Sequence, residues 1–157
     1  MNNPIPPSSP VIEEVETGSN LLLGLIGGGI AMLVSAIVWG AVTYFTEYQI
    51  GWIAVGVGFL VGTAVRFFGK GRSAIFGIIS AALALLGCVL GNLMFYSGVI
   101  ARENEISFFE VFFFLLVNPS ALFEVFTLAF DFMDLLFYGL AAWVGYTTAM
   151  ETRQRKV

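Results

Sequence analysis

Four acidic residues fall within the apolar second half of the chain, between its flanking polar turns: Glu110, Glu124, Asp131 and Asp134. Glu124 and Asp131 are seven residues apart and Asp134 follows three later, so all three share roughly one face if the segment is a single helix. A face of that kind has the chemistry to gather a cation or relay protons, and Glu110 can approach it from the segment before. The same carboxylates also read as the wet side of an amphipathic surface helix, because Phe123, Phe126, Phe130 and Phe132 interleave with them. A second polar feature is Asn92, alone in a long apolar run. It is expected to hydrogen-bond across to Ser35, Thr43 or a backbone carbonyl, which in membrane helices contributes about 0.6 to 2 kcal/mol. A third is the cationic turn of Arg66, Lys70 and Arg72. Such a turn ordinarily sets topology and secondarily binds anionic headgroups, each cation adding about 1 kcal/mol of surface attraction.

Other chemistry is scarce. Histidine, the most versatile general base and a common metal ligand, is absent. Cys88 is the only cysteine and lies in an apolar run, so it forms no internal disulfide and reads as a small buried side chain. Gly27-Gly28-Gly29 is followed by no Lys-Ser or Lys-Thr pair, which excludes a phosphate loop. No nucleophile, base and orienting group assemble from any motif, and the expectation is a non-enzymatic protein without cofactor or metal.

The elements that position these residues follow from composition. The chain has 157 residues, 58% hydrophobic and only 11% charged, against about 25% charged in soluble domains. No soluble fold of this size hides that much apolar surface, so the bilayer is the solvent. A net charge of -4 lacks the basic patch that nucleic-acid binding needs.

Residues 1–20, with Pro4, Pro6, Pro7, Pro10 and three glutamates, read as a disordered tail. The first basic residue is Arg66, so no secretory signal precedes the first apolar run, which reads as an uncleaved membrane helix. Spans are expected over 21–45, 50–68, 73–100 and 132–150, each compatible with a hydrocarbon core of about 30 Å. Residues 106–131 are too short and too interrupted for a simple span, and read as an interfacial or re-entrant segment broken at Asn118-Pro119-Ser120. There Asn118 caps and Pro119 opens the next helix, which is expected to continue to about Glu151. A basic tail, 152–157, closes the chain. The fold class is thus an all-α integral membrane four-helix bundle with a short interfacial or re-entrant helix before the last span. Arg66, Lys70 and Arg72 and the tail cations Arg153, Arg155 and Lys156 fall on one side and only Arg102 on the other, which puts both termini in the cytoplasm.

Small residues at helical spacing mark the faces on which membrane helices approach closely. Gly24, Gly28, Ala31 and Ser35 align in the first run, and Ala54, Gly58 and Gly62 in the second. Gly77, Ser80, Ala84, Gly87 and Gly91 align in the third.

The stretch Gly51 to Gly58, then Val61 to Arg66, Gly69-Lys70-Gly71, Phe76-Gly77-Ile78 and Leu86 to Asn92 resembles a group of small bacterial multi-pass membrane proteins. The likeness covers about a third of the chain. It implies a bacterial inner-membrane setting and no activity; the cysteine-rich zinc segment of some members has no counterpart here. The function expected is an interaction or assembly subunit, whose partners are the lipid bilayer and other membrane subunits or further copies of itself. The alternative is a transporter or channel component that collects a cation on the acidic segment.

Overall fold

The computed structural model describes residues 18–46, 51–129 and 131–150, and their regular structure is helical throughout. Six helices follow in order: α1 (Leu21–Thr46), α2 (Gly51–Gly69), α3 (Ala74–Glu103), α4 (Phe108–Val117), α5 (Pro119–Ala129) and α6 (Phe132–Met150). Three of them, α1, α2 and α3, are long and apolar enough to cross a membrane. Helices α4 and α5 meet that test only as a pair, and they bend by 106° at their junction. Helix α6 has 19 residues but carries Asp134, two threonines and two tyrosines, and is not among the three. The N-terminal tail, Glu47 and the basic tail lie outside the described residues.

The bundle is built from α1, α2, α3 and α6. Helix α1 packs on α2 and α3, and α6 packs on α2 and α3. The helix contacts are lined by small residues, with Gly24, Gly28, Gly58, Gly62, Gly77, Gly87 and Gly91 all buried, around a few larger side chains such as Trp39, Val61, Val65, Phe76 and Leu83. Many large aliphatic and aromatic side chains point outward, among them Leu22, Ile30, Ile37, Phe59, Ile78 and Leu86. That distribution inverts a water-soluble core, where such residues are inside. It suits a bundle whose backbones approach closely and whose surroundings are apolar.

The beginning of α1, the end of α2, the beginning of α3 and the end of α6 lie at one end of the bundle. The Asn20 N–H donates to the Gly69 carbonyl at 2.7 Å, and Gly77 sits under Met150. At the opposite end α3 closes with Glu105 in the left-handed region (φ 57°) and the Ile106 N–H donating to the Ala101 carbonyl at 3.0 Å. This is a Schellman closure, and it turns the chain back so that α4 descends along α3. Val111 and Leu115 of α4 pack with Leu93 and Ala101 of α3. Asn118 ends α4 with both its backbone and side-chain N–H groups on the Phe114 carbonyl (3.1 and 2.8 Å), and its own carbonyl accepts from Leu122 to start α5.

Candidate functional site

Helix α6 begins inside the bundle, not at its end. The expected continuous helix from Pro119 to Glu151 is therefore corrected: α5 stops at Ala129 and α6 starts at Phe132. The reason is local. Asp131 and Asp134 both cap the start of α6: the Phe132 N–H donates to Asp131 Oδ1 (2.6 Å), the Asp131 N–H donates to Asp134 Oδ2 (3.0 Å), and the Asp134 N–H donates to the Asp131 carbonyl (3.0 Å). An acid three residues after an N-cap acid is the capping-box spacing, and it stops one helix and starts another because it satisfies amides that have no carbonyl partner.

The second oxygen of Asp134 reaches across the bundle. Asn92 Nδ2 donates to Asp134 Oδ1 (3.3 Å) and to the Tyr138 hydroxyl (2.9 Å), while Trp39 Nε1 donates to Asn92 Oδ1 (2.8 Å). Trp39, Asn92 and Asp134 are each about 1% exposed. One amide thus ties α1, α3 and α6 together. This replaces the partners expected for Asn92: the Ser35 hydroxyl donates to Ala31 of its own helix (2.7 Å), and Thr43 Oγ1 is buried without a hydrogen-bond partner. Asn92 lies eleven residues before the end of α3, about 16 Å down at 1.5 Å per residue, so α6 starts well below the outer end of the bundle. Helices α4 and α5 lie beside this level, with Pro119 at their junction lining a groove with Val89 of α3 and Tyr138 of α6, and Phe126 making an edge contact with Tyr96 (5.9 Å).

The acids expected to share a face are therefore separated. Asp134 is buried in the bundle, and Asp131 is exposed at the cap. Glu124 is exposed on α5 and lines a groove of about 640 Å³ with Glu110 of α4, together with Asn104, Ile100, Val111 and Phe114. Glu110 and Glu124 thus line one groove, without Asp131 and Asp134. At the other end of the bundle, Arg66, Lys70 and Arg72 line a second groove, of about 520 Å³.

The glycine stripes differ in tightness. A Cβ on Gly58 would collide with the Ala141 carbonyl oxygen and sit 3.0 Å from Gly145 N; one on Gly62 would lie 2.7 Å from the Gly145 carbonyl oxygen. One on Gly91 would enter the Trp39 ring (2.7 Å), but one on Gly87 would meet Val57 Cγ1 and Met32 Cγ at 3.3 and 3.4 Å and the Met32 carbonyl oxygen at an ordinary 3.6 Å. Three participants escaped the sequence reading. Gly145 receives α2 and has its carbonyl bonded by the Ser80 hydroxyl (2.8 Å), and Trp39 and Tyr138 complete the polar centre. The available signal was the need of a mid-helix Trp or Tyr for a polar partner.

These features define an all-helical protein with three helices able to span a membrane and a buried polar knot at the start of an interrupted helix. No family model, curated protein or solved structure matches the chain. The resemblance over α2 and α3 accordingly gains no support from these comparisons, and function rests on the geometry.

Proposed function

We propose that this chain is a non-enzymatic multi-pass membrane protein of a bacterial inner membrane that acts as an interaction or assembly subunit. In this reading α1, α2, α3 and α6 are the spans, α4 and α5 form a re-entrant pair entering from the periplasm, and both termini are cytoplasmic. The observation that carries it is the dispersal of the acids. A cation path needs carboxylates that converge, whereas Glu124, Asp131 and Asp134 occupy three environments, and Asp134 uses one oxygen for the α6 cap and the other for Asn92. What α4 and α5 do present is an apolar outer face: Phe109, Phe113, Leu116, Val117, Phe123 and Leu128 are exposed. Such a face suits packing against another transmembrane subunit, where van der Waals contact replaces lipid.

The test combines transport and assembly. Purified protein in vesicles should show no more proton, sodium or potassium flux than empty vesicles. In native membranes, a photo-crosslinking side chain at Phe113 or Phe123 should give one discrete protein adduct, whereas the same probe at Ile30 should label lipid alone. Cation flux abolished by Glu110→Gln with Glu124→Gln would overturn the reading in favour of transport.

A further inference from the structure

The basic end of the bundle is a built groove. Phe59, Thr63, Arg66, Phe67 and Lys70 follow one another along the exposed side of α2, and Arg72 and Thr148 close the groove from the following turn and from α6. From Lys70 to Phe59 is eleven residues, about 16 Å along the helix. The groove is thus cationic at its mouth and aromatic further in, where Phe59 and Phe67 are 58% and 73% exposed.

Its mouth is held in one shape. Arg66 Nη1 points to the Thr148 carbonyl at 3.5 Å, which places the guanidinium at the seam of α2 and α6. Lys70 is in the left-handed region (φ 52°), a conformation that favours glycine, yet the glycines are its neighbours Gly69 and Gly71. Both neighbours are needed where they are: a Cβ on Gly69 would lie 3.0 Å from Phe76 Cδ1, and one on Gly71 would enter the same ring. The Lys70 N–H donates to the Arg66 carbonyl (2.9 Å), which fixes the turn. A lysine therefore occupies the one strained position of a turn packed on Phe76, and it lines the groove together with Arg66 and Arg72.

We propose that this groove is a binding site for an anionic glycerophospholipid, with the phosphate among Arg66, Lys70 and Arg72 and one acyl chain along Phe67 and Phe59. Charge sets the class of headgroup: three cations line one mouth. The depth of the aromatic track sets the requirement for a chain. Arginine offers the planar fork that suits phosphate, and lysine adds a compact charge. The lipid would bridge α2 and α6 at the end where the Arg66 guanidinium meets the Thr148 carbonyl.

The test uses the purified full chain in a zwitterionic detergent. Dioctanoyl-phosphatidylglycerol should raise the unfolding temperature and leave a one-to-one adduct in native mass spectrometry, and dioctanoyl-phosphatidylcholine should do neither. Glycerol 1-phosphate and inorganic phosphate should also fail at the same concentration, since they lack the chain. The variant Lys70→Gly with Arg72→Gln keeps the turn and relieves its strain, so it should fold at least as well as the parent while binding phosphatidylglycerol at least about tenfold more weakly. Phe67→Ser should weaken the lipid and leave phosphate unaffected. Equal binding of phosphatidylcholine, or phosphatidylglycerol affinity within twofold in the folded double variant, would overturn the site. Equal binding of glycerol 1-phosphate would overturn the lipid and assign the pocket to free phosphate.

Discussion

Gly58→Ala is the sharpest perturbation of the bundle. The added methyl would be driven into the Ala141 carbonyl oxygen and toward Gly145 N, both backbone atoms of α6, so no side chain can rotate away. Helices α2 and α6 must part. Overpacking of this kind costs about 1–3 kcal/mol, and a rigid backbone partner puts it in the upper half of that range. Replacing a helical glycine returns about 0.5–1 kcal/mol through the unfolded chain, so the net loss is about 1–2 kcal/mol, a 5- to 30-fold drop in the folded-to-unfolded ratio. Gly87→Ala is the control, because its tightest contacts are side-chain atoms, Val57 Cγ1 and Met32 Cγ at 3.3 and 3.4 Å, with backbone no nearer than the Met32 carbonyl oxygen at 3.6 Å. There the glycine term prevails and stability should be unchanged or slightly higher. Reversible unfolding in mixed micelles, followed by tryptophan fluorescence, compares the two. Equal behaviour of the variants would refute the assignment of α2 and α6 as a backbone-to-backbone contact and not merely a stripe of small residues.

The polar centre yields a second expectation: Asn92→Leu should cost about 1–3 kcal/mol, because Trp39 Nε1 loses its acceptor and Asp134 a donor inside the bundle. The double variant Asn92→Leu, Asp134→Leu should then be less destabilised than the sum of the single changes, and additive values would show that the two side chains are uncoupled. Asp134→Asn keeps one oxygen for the α6 cap but turns an amide N–H toward the Asn92 Nδ2 donor, so it should lose about 1–3 kcal/mol, whereas Asp134→Leu should lose more than Asp131→Asn by the same unfolding assay. Glu110→Gln with Glu124→Gln, at exposed positions, should shift stability by no more than about 0.5 kcal/mol. Topology is checked by impermeant thiol labelling in intact cells: Lys70→Cys should be protected and Glu103→Cys labelled, with Cys88 silent because it is buried. Labelling of Lys70→Cys from outside would invert the orientation.

Local rules made much of this protein legible before any coordinates. Helices α1, α2 and α3 follow from apolar runs whose charges, where present, stand at the helix ends beside polar turns, since a chain in lipid has to satisfy its backbone within each segment. The break at Asn118-Pro119 was readable for a similar reason, because proline lacks an N–H and is suited to the first helical turn. The glycine stripes were readable as spacing, but spacing carries no distance. Gly58 and Gly87 look alike in the sequence, and only the crossing of α2 with α6 makes one intolerant of a methyl group.

The acidic segment depended on tertiary structure most. Heptad spacing aligned Glu124, Asp131 and Asp134 only on the premise of one unbroken helix, and the spacing of Asp131 and Asp134 served equally well as a capping box that interrupts it. Periodicity does not decide between those outcomes, because both satisfy the same local hydrogen-bond requirement. The decision came from the far side of the bundle, where Asn92 supplies a donor at the depth at which α6 begins and Trp39 fixes the orientation of that amide. Residues 39, 92 and 134 are distant in the chain, so no window of sequence contains the interaction. Composition and periodicity determined that the chain forms apolar helices and where they turn, whereas the packing of α1, α3 and α6 decided which polar residues face one another.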